Sequence, residues 1–162
     1  MKFTNRQGAA GALLDEYERA LTDLYALLSG IADRELVAEI DPHTPDPDCV
    51  SIQKILAHVV HSGYAYAMYI QKMKSQTPFL PLKTLQSTAT AYILDLQRMF
   101  AQTAEVLGEM SDSDFEKLPT LTVSWGELYN VEQLLEHAIC HILRHRRQIS
   151  KFVAFLKNDL LC

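Results

Sequence analysis

Apolar residues recur every three to four positions over four long stretches of this chain, and all six prolines fall between those stretches. This spacing matches one face of an α-helix and differs from the two-residue repeat of a strand. The second stretch covers about residues 51–75 and the fourth about 127–156. The first and third carry the clearest stripes (Leu14, Tyr17, Leu21, Leu24, Leu28, Ile31; Leu85, Ala89, Tyr92, Leu96, Met99, Thr103). The pattern predicts an all-α four-helix bundle.

The connections between the four helices predict how the bundle is arranged. The link between the second and third helices is short, so we expect those two helices to be antiparallel neighbours. The first and third links are long, near 20 residues each, which permits crossover connections. Long loops in a small domain often cover a functional site. Within the third link, the segment LPTLTV at 118–123 can form a short extended piece, and the 162 residues predict a single domain over 1–162.

Charge and hydropathy argue against two classes of partner. The chain carries 15 Lys and Arg against 20 Asp and Glu, a formal net charge of −5. We expect no nucleic-acid partner, because binding to the phosphate backbone requires a basic surface. No stretch approaches the ~20 apolar residues of a membrane span, and the N-terminus lacks the apolar core of a signal peptide. Three widely spaced cysteines form no disulfide framework, so we predict a cytoplasmic protein with no membrane partner.

Histidines are the most informative side chains of the sequence. The second helix carries His58 and His61, and the fourth carries His137, His141 and His145 at intervals of four. Residues four apart lie one turn apart on the same helix face, so two imidazoles can point at one ion. A third histidine from a neighbouring helix completes a three-nitrogen metal site with room for water.

The phase of each helix selects three of these histidines. At ~100° per residue, the apolar stripe of the fourth helix centres near His145, with His141 close beside it and His137 nearer the surface. On the second helix, His58 lies on the flank of the stripe and His61 points away. The phase therefore favours His58, His141 and His145. The alternative is that these rings are hydrogen-bonded core residues of a metal-free bundle.

Other side chains on the same faces are candidates for a pocket. Gln148 lies on the His141 side of the fourth helix and can orient a ligand, while Ser62, Tyr66 and Tyr69 lie on the His58 side of the second. Arg146 and its neighbours surround His145, and their positive charge favours a neutral imidazole. One of these arginines can hold an anionic group of a substrate. The simpler interpretation is a solvated face or pairing with acids such as Glu127 or Glu132.

The segments ILAHVVHSGYAY and HILRHRRQ together resemble the DinB/YfiT-like superfamily of small four-helix proteins. The family pattern, one His followed later by His-x-x-x-His-Arg-Gly-Gln, matches His58, His141, His145, Arg146 and Gln148. Arg147 replaces the family's glycine, a departure that can change the packing beside the site. The resemblance implies a three-His site for a divalent metal, zinc or nickel, and a homodimer. It also implies a relation to transferases and isomerases that use low-molecular-weight thiols.

Three neutral imidazoles leave a divalent ion its full charge and an open position, which can lower the pKa of water to about 7 or stabilise a thiolate. The leading hypothesis is a metal-dependent enzyme, a thiol S-transferase or a hydrolase. No acidic residue lies on the histidine faces, so the sequence names no general base, and water or thiol on the metal must serve. The alternative is a non-catalytic metal- or ligand-binding homodimer. A second apolar strip on the fourth helix (Ile139, Cys140, Leu143) favours a symmetric partner.

Overall fold

The computed structural model describes residues 6–108 and 110–159, so parts of the predicted 1–162 domain lie outside the described residues. The described chain is mostly helical, which confirms the all-α prediction. In chain order its helices are α1 (Gly8–Leu28), α2 (Asp33–Val37), a 3-10 turn (Pro47–Cys49), α3 (Ile52–Met73), α4 (Ala89–Leu107), α5 (Asp112–Lys117) and α6 (Val131–Asp159). None of the described helices combines the length and the apolar character that a bilayer crossing requires.

Polar side chains fix where three of the long helices begin. The Ser51 side chain accepts a hydrogen bond from the Lys54 amide at the start of α3. The Thr88 side chain accepts one from the Ala91 amide at the start of α4. At the start of α6, the Asn130 side chain accepts from the Gln133 amide at 2.8 Å, and the Gln133 side chain accepts in return. Such caps satisfy amide groups that have no partner within the helix.

The four long helices form a ring around one core. Helix α1 packs mainly against α4 and α6, and α3 packs against the same two helices from the opposite corner. The first and third connections therefore cross between diagonally opposed helices, as their length predicts. Each helix contributes fully buried side chains to the shared core (Tyr17, Leu21, Leu24, Ile55, Leu56, Leu96, Met99, Leu134).

Helices α3 and α4 run in the same direction, so the prediction that they are antiparallel was wrong. Near their starts, the Tyr92 hydroxyl donates to the Gln53 carbonyl at 2.8 Å. Near their ends, Lys74 Nζ donates to the Val106 carbonyl at 2.6 Å. The apolar stripe of the third predicted helix includes Leu85, so that helix was expected to begin there and to leave only a short link after α3. That side chain is instead 57% exposed, and it lies in a connection that follows α3 back to its start.

A small hairpin precedes α6. Strand β1 (Leu121–Thr122) pairs antiparallel with β2 (Leu128–Tyr129), which confirms the extended piece predicted at 118–123. Gly126 has a φ of 92° in the intervening turn, a conformation that favours glycine. Helix α6 therefore begins at Val131 and not near residue 127, because the hairpin occupies the preceding residues.

Gly63 lies at a close approach of α3 and α4, where an added Cβ would collide with the Met99 side chain. We expect Gly63→Ala to lower the free energy of unfolding by about 1–2 kcal/mol. Overpacking a closed core costs up to about 3 kcal/mol, and the better helix propensity of alanine returns ~1 kcal/mol. Urea unfolding measures the difference. Gly30→Ala is the control because the nearest atom to its Cβ is 3.7 Å away; equal stability of the two variants would contradict this packing.

Candidate metal centre

Three histidines from two antiparallel helices meet near one end of the bundle. His141 and His145 lie one turn apart on α6, and His58 reaches them from α3. The ring centroids are 5.0 Å apart for His58 and His141, 5.1 Å for His58 and His145, and 4.4 Å for His141 and His145. One nitrogen from each ring lies within 4.8 Å of the other two. The three rings selected by helix phase are therefore grouped in space.

Hydrogen-bond acceptors outside the cluster orient two of the rings. His58 Nδ1 lies 3.3 Å from a carboxylate oxygen of Asp48, and His145 Nδ1 lies 3.0 Å from Gln148 Oε1. Each acceptor favours the tautomer with the proton on Nδ1, which leaves the Nε2 lone pair free for a ligand. Consistent with that orientation, the Nε2 atoms of His58 and His141 face each other at 3.0 Å.

His141 has a buried nitrogen that the described part of the chain leaves without a hydrogen bond. Its Nδ1 atom is inaccessible and has no hydrogen-bond partner among the described residues. Burial, together with the charges of the neighbouring histidines, lowers the pKa of His141 to about 3. Burial also lowers the pKa of His58 and His145. All three imidazoles are therefore neutral near pH 7, which is the form that binds metal.

The donor set fits a divalent transition-metal ion. At a Zn–N distance of 2.0–2.1 Å, two ligands of a tetrahedral ion lie about 3.3 Å apart, and the contacting Nε2 atoms of His58 and His141 are close to that separation. Neutral imidazoles suit zinc, nickel and copper more than magnesium or calcium, which prefer oxygen. Within the described part of the chain, no carboxylate or thiol joins these three residues in the cluster.

A model of the DinB family matches residues 10–154, a range that includes all three histidines. The chain belongs to the DinB family. No curated protein and no solved structure gives a significant match to the sequence.

The loop before α3 supplies residues of this DinB-family site that sequence reasoning missed. Asp48, in the 3-10 turn, contacts His58 and forms an ion pair with Lys83 from the connection between α3 and α4. Cys49 is buried, with its sulfur 3.8 Å from Gln148 Oε1. The length and proline content of this loop suggested that it covers a site, but no spacing rule links a loop carboxylate to a particular helix residue.

Of the predicted pocket residues of the DinB-family chain, Gln148 and Tyr66 contact the histidine cluster, whereas Ser62 and Tyr69 have other partners. Gln148 contacts His145, and the Tyr66 ring lies 5.8 Å from the His141 ring in an edge-on contact. Ser62 contacts the Tyr66 phenol, whose pKa is raised mainly by burial. Tyr69 lies further along α3, where its hydroxyl accepts a hydrogen bond from the Ser124 amide at 3.0 Å.

Arg146 is not part of the pocket, in contrast to its prediction. Its guanidinium donates to a carboxylate oxygen of Asp23 on α1 at 3.0 Å. It therefore pairs across the bundle and not with the acids Glu127 or Glu132 that the sequence suggested. Position 146 is 100° from position 147 around α6, so the two arginines face different neighbours.

The remaining histidines of the DinB-family chain lie outside the cluster. His137 is half-buried, stacks on Trp125 with centroids 5.4 Å apart, and has Nδ1 3.2 Å from the Tyr129 hydroxyl. The hairpin thus places aromatic rings beside the cluster, a contact that the sequence did not predict. His61 lines a separate cavity under the connection between α3 and α4, and His43 is exposed.

Proposed function

We propose that this DinB-family protein binds one divalent ion, zinc or nickel, through His58, His141 and His145. We further propose that it is a metal-dependent enzyme, with thiol S-transfer as the leading reaction and hydrolysis as the second. The observation that carries the proposal is the convergence of three neutral imidazoles, two of them oriented from outside by Asp48 and Gln148.

The number of protein ligands supports a catalytic site. Structural zinc sites are closed by four protein ligands, whereas catalytic sites keep a position open for water or substrate. The three histidines have no fourth protein donor within the described residues. A bound ion would act as a Lewis acid that favours the ionised form of a thiol or of water.

The carboxylates near the site favour a thiol as the nucleophile. Asp48 is engaged by His58 and Lys83, and Asp46 accepts hydrogen bonds from the Asp48 amide and the Cys49 thiol. Neither is a free base for activating water. A thiol ionises near pH 8.5 and water only near 15.7, so a thiol needs far less help to lose its proton. The low-molecular-weight thiols implied by the family resemblance fit this requirement.

In the proposed reaction, a small thiol gives its proton to solvent and its sulfur forms a bond to an electrophilic carbon. The leaving group departs from that carbon with its electron pair. The chain's own contribution is to hold the reactants and to limit water. The aromatic rings of Tyr66, Trp125 and Tyr129 form a wall next to His137 and His141 that serves this purpose.

The proposal is tested by turnover assays on protein purified without a histidine tag and loaded with zinc or nickel. We expect metal-dependent conjugation of cysteine or glutathione to an activated aromatic chloride, which forms a coloured thioether and releases chloride. This activity should be lost in His58→Ala and kept in His61→Ala, whose ring lies outside the cluster. A p-nitrophenyl ester tests hydrolysis. Loaded protein that turns over neither substrate class would contradict the enzyme and favour the non-catalytic metal-binding alternative.

A homodimer is part of the same proposal. On the outer face of α6, Cys140 is exposed and Leu143 is 40% exposed, beside the half-buried Ile139. An apolar strip of this kind is a suitable contact for a second copy of the chain. We expect light scattering to give a dimer mass for the parent and a monomer mass for Leu143→Lys. A monomeric parent would contradict the dimer.

A further inference from the structure

Three cations on α6 line a cavity next to the three-histidine cluster. The cavity has a volume of about 500 Å³, and its wall includes Arg144, Arg147 and Lys151. These positions are three and four residues apart, so they share one face of the helix. Within the described ranges, none of the three forms an ion pair.

Arg146 differs from these three cations in its pairing. Arg146 lies between two of these cations in sequence but turns toward α1, where it pairs with Asp23. Among the described residues, the arginine that faces α1 is therefore paired, whereas the three cations around the cavity form no ion pair.

The cavity adjoins the metal centre through one side chain. Gln148 lines the cavity, and its Oε1 atom is 3.0 Å from His145 Nδ1. A molecule held in the cavity would therefore lie one hydrogen bond away from a proposed ligand of the ion.

One acid also lines the cavity and must be weighed against the cations. Asp46 accepts hydrogen bonds from the Asp48 amide at 3.0 Å and from the Cys49 thiol at 3.4 Å. Its charge is thus partly compensated by local donors. Three cations against this one carboxylate leave the cavity positive, and the Thr44 side chain adds a hydroxyl at its edge.

We propose that this cavity is an anion-binding subsite that holds a carboxylate or phosphate group of a small substrate of the metal centre. Arginine presents its donors in a planar fork that matches either group, and lysine adds a third charge. The substrate role rests on the proposed function, because it requires a reaction at the metal. The subsite itself is a property of residues 44–49 and 144–151 and does not require the ion.

Isothermal titration calorimetry on the metal-free, full-length protein tests the subsite with succinate and inorganic phosphate as probes. We expect one saturable site per chain, and the probe that binds more tightly indicates which anionic group the cavity selects. Arg147→Gln should weaken binding about tenfold, the loss expected for one charge-assisted hydrogen bond. Arg144→Gln should do the same, whereas Asp46→Asn should tighten binding.

Arg146→Gln is the matched control, because it removes the same charge from the adjacent position but on another face. Its affinity should stay within about twofold of the parent at the same ionic strength, since diffuse surface charge contributes little. Absence of saturable binding by both probes, or equal losses in the 146 and 147 variants, would overturn the proposal. Anion binding by a chain that binds no metal would instead retain the subsite and contradict the proposed function.

Discussion

Replacement of His141 by alanine should reduce bound metal from about one ion per chain to almost none. His141 is one of the three proposed ligands of the ion, and its ring contacts those of both His58 and His145. Its removal leaves two donors on different helices, with no third donor among the described residues to replace it. The loss of affinity should exceed the 10–100-fold that follows removal of a residue that only orients a ligand.

Elemental analysis after dialysis against zinc or nickel measures this effect, on protein that has never carried a histidine tag. His137→Ala is the control because it removes an imidazole one turn earlier on α6 whose ring stacks on Trp125 and whose nitrogens are not among the grouped donors. Metal retained by the His141 variant, or lost equally from both variants, would place the ion elsewhere in the chain.

Asp48→Asn should weaken metal binding by about 10–100-fold while the fold is retained. The Asp48 carboxylate accepts from His58 Nδ1 and so keeps the Nε2 lone pair directed at the other two rings. An asparagine can present its amide nitrogen to Nδ1 instead, which favours the tautomer with the proton on Nε2. The substitution also removes a negative charge that makes His58 more basic. The ion pair with Lys83 is lost as well, so the loop is held less firmly.

Competition with a chromophoric chelator measures the affinity of this variant. Asp41→Asn makes the same charge change in the same loop at an exposed position, and it should bind metal as the parent does. Equal metal affinities of the two variants would show that Asp48 does not orient His58.

Local signals in the sequence were sufficient for the parts of the structure that depend on one helix at a time. The three-to-four-residue repeat predicted the four long helices, because the side chains that face a core must recur at the helical period. The same period placed His141 and His145 on one face of α6. For His58, helix phase and the family pattern indicated the same residue, and the structure places it beside them.

Features that depend on two segments far apart in the sequence could not be predicted from these local signals. The direction of α4 relative to α3 depends on the length of the link between them. The apolar stripe suggested that α4 begins at Leu85, whereas it begins four residues later, at Ala89, with Thr88 as its cap. Asp48 reaches His58 only because the first connection crosses the bundle, and no periodicity relates a loop residue to a helix face. Likewise, the pairing of Arg146 with Asp23, and the lack of an ion pair at Arg147 within the described ranges, depend on which distant segment lies beside each face of α6.

X-ray absorption spectroscopy of the loaded protein at the metal edge counts the imidazoles that coordinate the ion. If His58, His141 and His145 hold it, we expect about one ion per chain with three imidazole nitrogens in its first coordination sphere. The metal signal should be almost lost from dialysed His145→Ala, which keeps only two of the three donors, while the His61→Ala spectrum should match that of the parent. An ion coordinated by fewer than three imidazoles in the parent, or a metal signal that His145→Ala leaves undiminished, would contradict the three-histidine site.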